Sequence, residues 1–254
     1  MTDPILRTQD LTVRFGGHVA VDAVSCAFQA GELTAIVGPN GAGKTTYFNL
    51  ISGQIAATAG KVFLRGEDIS NRSVSQRTKA GIGRAFQLTN LFPDLTVLEN
   101  VRLVVQSRSG QGFNLWSMAS GHVELTEAAM AILKRVRLLE QRAQVVSELS
   151  HGNQRKLEVA LLIALDPAVY MFDEPTAGMS VDEAPVVLDL IAELKAQGDR
   201  TILLVEHKMD VIRTLADRII VLHNGALAAD GAPAEVMASD VVQEAYMGKE
   251  LEDV

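Results

Sequence analysis

Gly38-Pro39-Asn40-Gly41-Ala42-Gly43-Lys44-Thr45 constrains this chain more than any other stretch. It fits G-x-x-x-x-G-K-[ST], a loop whose backbone N–H groups cradle phosphate. Gly38, Gly41 and Gly43 let the backbone wind tightly, so that successive N–H groups point inward at an anion. Lys44 is placed to reach the β- and γ-phosphates of a nucleotide, and the Thr45 hydroxyl to ligate Mg²⁺. The flanks agree with this reading. Leu33 to Val37 is a short apolar run expected as a buried parallel strand. Thr46 to Ser52 reads as a helix, stopped by Gly53. Strand, glycine loop and helix together put phosphate at a positive helix N-terminus.

The rest of the chain must build around that unit. Its 254 residues suffice for one large α/β domain or for a core with an inserted subdomain. A formal net charge of −8 argues against a dedicated nucleic-acid binder, which would show a basic face. The lone cysteine, Cys26, excludes an internal disulfide and fits a reducing compartment, with burial its expected fate. Met1 to Pro4 lack the basic and apolar regions of a leader, and no apolar run approaches a membrane span. A cytoplasmic protein is expected, with any membrane role exercised through partners.

Residues Leu6 to Phe28 alternate around Gly16-Gly17 and read as antiparallel strands. Lys61 to Leu64 is another strand, ahead of a turn at Arg65-Gly66. From Leu91 to Leu165 the texture turns helical, with Thr96-Val97-Leu98-Glu99 as a capping box and apolar residues at helical spacing from Glu124 to Val136. The segment Ser107 to Gly121 carries Phe113, Leu115, Trp116 and Met118 among Gly and Ser. Two readings stand open: a surface loop whose aromatics pack locally, or a contact surface for another chain. After Pro167 come a buried strand (Ala168 to Phe172), a helix (Ala184 to Ala196), a second strand (Thr201 to Val205) and a third (Asp217 to Leu222). Asn224-Gly225 then signals a hairpin. The expected division is a catalytic α/β core with a β subdomain over 1–90 and 166–240, a helical subdomain over 91–165, and a tail over 241–254.

Val169 to Phe172 ends in Asp173 and Glu174. An Asp at the end of such a strand can hold the Mg²⁺ shell opposite a phosphate loop, and a neighbouring Glu can polarise an attacking water. Leu149-Ser150-His151-Gly152-Asn153-Gln154 precedes a helix expected from Arg155 to Leu165, with Ser150 as its N-cap. Six blocks together resemble the ATP-binding-cassette (ABC) transporter ATPases over nearly the whole chain. They are the phosphate loop, Gln87 after Arg84-Ala85-Phe86, the Leu149-Ser150-x-Gly152 segment, Asp173-Glu174, Ala177-Gly178-Met179-Ser180, and His207. The fold this resemblance implies is α/β: a P-loop NTPase (RecA-like) parallel-sheet core, an antiparallel β subdomain and an inserted helical subdomain.

The resemblance also implies roles. Gly38, Pro39, Asn40, Gly41, Ala42, Gly43, Lys44, Thr45 and Thr46 would bind the nucleotide. Phe15 would stack on adenine where Tyr is more usual, the alternative being a buried strand aromatic. Thr45, Gln87 and Asp173 would hold Mg²⁺. Glu174 would be the general base. Gln87 would contact Mg²⁺ or water and signal to a membrane subunit. His207 would touch the γ-phosphate, the alternative being an ordinary strand-end histidine. Ser150 and Gly152 would face the nucleotide of an opposite protomer, so that hydrolysis requires a head-to-tail dimer. Two departures stand out: His151 and Asn153 replace residues of the familiar Leu-Ser-Gly-Gly-Gln, and Ser180 stands where many relatives carry Asp.

Arg14-Phe15-Gly16-Gly17, Phe86 to Phe92, the 107–121 insertion, Leu157-Glu158-Val159-Ala160 and Ala245-Tyr246-Met247-Gly248 are similar to the ATPases of bacterial branched-chain amino-acid importers. That resemblance implies transmembrane permease subunits, a second ATPase subunit, identical or a sister, and a periplasmic binding protein, with this chain peripheral on the inner face of the membrane. Importers of urea, amides or aromatic acids, and the lipopolysaccharide exporter, share parts of the pattern. A soluble non-transport cassette and a nucleotide-binding regulator are the remaining classes. No fused second cassette or basic extension supports the former. Gln87, Glu174 and His207 together speak against the latter.

Overall fold

A computed structural model describes residues 3–85, 91–109 and 120–239. Gln87, most of the 107–121 insertion and the 241–254 tail lie outside the described residues. Contacts divide the chain into two compact units, 1–82 with 168–174 and 195–254, and 83–167 with 175–194.

The first unit begins with alternation. Strand β1 (Leu6–Phe15) buries Leu6, Thr8, Leu11 and Val13 and turns at Gly16-Gly17 into the antiparallel β2 (His18–Phe28). Asp10, at a φ of 47°, lies where the register between the two strands shifts. All five residues of β3 (Leu33–Val37) are buried, the signature of a strand covered on both faces. Helix α1 (Lys44–Ser52) follows, closed by Gly53 in the left-handed conformation. Strands β4 (Ala59–Leu64) and β5 (Glu67–Asp68) complete a four-stranded antiparallel sheet in the order β2-β1-β4-β5. Next come α2 (Val74–Ala80), which opens on a Ser73/Gln76 capping box, and the short β6 (Ile82–Arg84).

In the second unit α3 (Val97–Arg108) starts where expected. Thr96 Oγ1 accepts from Glu99 N–H while Glu99 Oε2 accepts from Thr96 N–H. It packs with α4 (Ser120–Arg135) and α5 (His151–Leu165), burying Val97, Val101, Ala129, Leu133 and Leu157. The expected start of the last helix, Arg155, is too late. Ser150 caps a helix that already begins at His151, because its hydroxyl satisfies Asn153 N–H at 3.2 Å.

The chain then re-enters the first unit with β7 (Val169–Asp173). Helix α6 (Ala184–Ala196) lies almost wholly in the second unit, and β8 (Thr201–Val205), α7 (Met209–Leu215), β9 (Arg218–His223), β10 (Ala226–Gly231) and α8 (Pro233–Met237) follow in the first. The larger sheet has the order β10-β9-β3-β8-β7-β6, and the pairs β9–β3, β3–β8 and β8–β7 are parallel. β10 is antiparallel to β9, joined through Asn224 (φ 50°) and Gly225 (φ 79°) as the hairpin signal predicts.

One apolar cluster binds the first unit together. Tyr47, Phe48, Leu50 and Ile51 of α1 join Ile36, Met171, Leu203, Val205, Ile220 and Leu222 of the larger sheet and Leu11, Val13, Phe28 and Val62 of the smaller. The helix that follows the glycine loop is thus held by both sheets. No helix among the described residues is long and apolar enough to cross a membrane.

Candidate functional site

Backbone crowding explains two glycines of the loop. A Cβ on Gly38 (φ 150°) would lie 2.2 Å from the Leu222 carbonyl oxygen, and one on Gly43 (φ 97°) 2.5 Å from that of Ala20. Gly41, between them, faces open space. The loop is therefore pressed on its protein side and clear at Gly41. Gly43 is also the residue before α1, and no side chain caps that helix and no acid occupies its first turn. The positive end of α1 is left for an external anion.

Lys44 Nζ donates to the carbonyls of Gly38 at 2.7 Å and Pro39 at 3.0 Å. The residue is only 7% exposed, and burial pushes its ammonium below the usual lysine range. The negative charges of Glu174 and Asp173 oppose that push. A buried cation beside an uncapped helix end is a site able to receive negative charge.

Those carboxylates stand where β7 ends. Asp173 pairs with Val205 of β8, and Glu174 N–H donates to the Val205 carbonyl at 2.9 Å. Glu174 has a φ of 50°, a left-handed conformation that a side chain adopts at a cost and that commonly marks functional positions. His207, two residues beyond β8, places Nε2 2.8 Å from Glu174 Oε1. A hydrogen bond from a neutral imidazole to a carboxylate fixes the tautomer with the proton on Nε2. His207 is thus more than a strand-end histidine: it is the partner of Glu174. Phe15 is 51% exposed, which removes the buried-aromatic alternative and leaves its ring open at the end of β1.

The structure brings the loop, Lys44, Thr45, Asp173, Glu174, His207 and Phe15 into the first unit. Ser150 and Gly152 belong to the second, at the first turn of α5. Among the described residues no three His, Cys, Asp or Glu side chains form a metal-holding group. The hard oxygen donors present include the Thr45 hydroxyl and the Asp173 carboxylate. They fit Mg²⁺, which keeps waters and takes one or two protein ligands with substrate phosphates.

Sequence reading missed Arg77. Its guanidinium is 3% exposed and donates to the carbonyls of Leu50 and Ile51 at 2.7 Å each, Ser70 at 2.6 Å and Arg72 at 3.1 Å. It thereby satisfies orphan carbonyls at the end of α1, opposite the phosphate loop. A lone arginine on a short helix carries no motif that could have announced this.

The family model for ABC transporters matches residues 21–177. The chain is similar to the high-affinity branched-chain amino acid transport ATP-binding protein LivG of Escherichia coli K12. The two are 35% identical over 254 residues, covering 98% of this chain and 100% of that protein. Among solved structures, it resembles the ADP conformation of an ATP-binding cassette of an ABC transporter, with a TM-score of 0.81 and 31% identity over 97% of this chain and 100% of that one. It also resembles a dimeric post-hydrolysis cassette bound to ADP and Pi, with a TM-score of 0.77 and 26% identity over 90% of this chain and 98% of that one.

Proposed function

The chain belongs to the ABC transporter family of ATP-hydrolysing cassettes, and on that premise we propose that it powers import of branched-chain or related amino acids through membrane partner subunits. One observation carries the chemistry. A phosphate loop with a buried lysine lies in the same unit as a strand-end Asp-Glu pair whose Glu is hydrogen-bonded to His207.

The loop amides and the N-terminus of α1 bind the β- and γ-phosphates. Lys44 exchanges its two carbonyl partners for phosphate oxygens, which restores charge balance to a desolvated ammonium. Thr46 lies in the first turn of α1 beside them, and Phe15 stacks on the base. Thr45 and Asp173 would hold Mg²⁺, with Gln87 as a further ligand, and the ion neutralises charge on the β- and γ-phosphate oxygens when bound. The Glu174 carboxylate accepts a proton from the water that attacks the γ-phosphorus, and the leaving oxygen departs with ADP. His207 keeps that carboxylate aimed and lies within reach of the γ-phosphate.

Ser150 and Gly152 supply the second half of the site. The Ser150 hydroxyl and the amide N–H groups at the start of α5 face the γ-phosphate bound by another ATPase subunit, a copy of this chain or a sister. The dimeric cassette that holds ADP and Pi supports this arrangement. The working assembly then comprises two ATPase subunits, membrane permease subunits and a periplasmic binding protein. This chain sits on the inner face of the membrane.

Uptake of radiolabelled leucine, isoleucine and valine by cells expressing the full system tests the reading, wild type against Lys44→Ala. Loss of uptake in the variant is expected. Uptake of all three unchanged in the variant would overturn the assigned cargo.

A further inference from the structure

Glu183 is an unassigned carboxylate that touches two functional segments of the second unit. Its Oε2 accepts from the Ser180 hydroxyl at 3.1 Å and from Ser180 N–H at 3.4 Å. Its Oε1 lies 3.7 Å from Nζ of Lys156, a lysine of α5 that is only 8% exposed. Between these anchors the carboxylate lies flat against the first turn of α5. A Cβ built on Gly152 would come within 2.1 Å of Oε2, 2.3 Å of Cδ and 2.4 Å of Oε1. A free glutamate would swing away from an added methyl group. This one is held at both oxygens, by a nearly buried cation and by a capping interaction.

We propose that Glu183 is a positioning residue, which locks the start of α5, with Ser150 and Gly152, to the Ser180 turn, and that its carboxylate is the reason position 152 must be glycine. This rests on the reading that Ser150 and Gly152 face another subunit's nucleotide. Two consequences follow from the geometry. Ser180 needs no acid of its own, because Glu183 supplies the carboxylate to that turn. The negative charge of Glu183 also lies by the positive end of α5, and Lys156 offsets it so that the helix end still favours an incoming phosphate.

Amide hydrogen exchange on the full chain reads the lock directly. In Glu183→Ala, exchange at 150–156 and 176–182 is expected to accelerate together, about tenfold, while 38–46 stays as in wild type. Glu183→Gln, which keeps an acceptor for Ser180 but loses the ion pair, should fall between. No change, or a change in only one segment, overturns the lock.

The glycine claim is read in ATP-driven dimerisation, in a Glu174→Gln background. Gly152→Ala should weaken closure about tenfold without changing monomer affinity for nucleotide, and adding Glu183→Ala should return it to the level of Glu183→Ala alone. If the double variant stays as impaired as Gly152→Ala, glycine is needed for phosphate approach and the claim is wrong. If the Glu174→Gln parent does not close on ATP at all, the shared-site reading fails, and the exchange result still decides the lock.

Discussion

His207 Nε2 donates to Glu174 Oε1 at 2.8 Å, from a loop that leaves β8 to a residue that leaves β7 in a left-handed conformation. Neighbouring parallel strands thus deliver the proposed base and the group proposed to aim it. His207→Ala should keep nucleotide affinity but lower kcat about a hundredfold, since an unaimed carboxylate loses much of its general-base advantage. Pre-steady-state phosphate release checks this. A variant with normal kcat and raised KM would make His207 a binding residue instead.

Lys44→Ala should weaken ATP about a hundredfold, because it removes the buried cation that meets the β/γ charge. The same substitution frees two backbone carbonyls, those of Gly38 and Pro39, from their present donor. Equilibrium titration with a fluorescent nucleotide separates the two effects when run beside urea unfolding of the unliganded chain. Unchanged affinity with lowered stability would mean that Lys44 serves the loop rather than the ligand.

Arg77→Met should cost about 3 kcal/mol or more, since four backbone carbonyls lose the donor that faces them. Arg77→Lys should recover little of it, because one ammonium cannot span four acceptors from two chain segments. Urea unfolding measures both. A loss below about 0.5 kcal/mol in Arg77→Met would show that water serves those carbonyls equally well.

Cys26 is 5% exposed, and burial pushes its thiol up from the ordinary 9.0 to about 11. The unfolded chain therefore ionises this thiol first as pH rises. Its contribution to stability is complete below pH 9.0 and is lost progressively between 9.0 and about 11. The alkaline decline should be shallower in Cys26→Ala than in wild type by that contribution. In native protein at neutral pH, thiol reagents should react only at the rate of opening.

How much of this could be read in advance differs from element to element. The capping box at Thr96 and the Asn224-Gly225 hairpin were legible because each rests on contacts within a few residues, and the strand at Leu33 to Val37 because its run is apolar throughout, although its partners at 202–205 and 218–221 lie far along the chain. The helix at Ala184 to Ala196 was legible too, through its apolar spacing. Helix α7 was not anticipated. Its apolar face is set by packing: Ile212 is buried in a cluster with Ile219 and Val221. The same division runs through the site. The phosphate loop and Asp173-Glu174 are continuous in sequence. The hydrogen bond between Glu174 and His207, by contrast, joins residues that only the sheet order brings together.

Glu183 illustrates an intermediate case. Ser180-x-x-Glu183 is a capping pattern visible in the sequence. Its consequence for Gly152 is not, because that depends on where α5 lies within the second unit.

The most direct test of the account is the mass of the chain in solution with ATP, wild type against Glu174→Gln, first without Mg²⁺ and then with it. The account predicts that ATP drives both proteins from monomer to dimer, and that added Mg²⁺ returns wild type to monomer while Glu174→Gln stays dimeric. A Glu174→Gln protein that hydrolyses ATP like wild type and dissociates with it would contradict the assignment of Glu174 as the base.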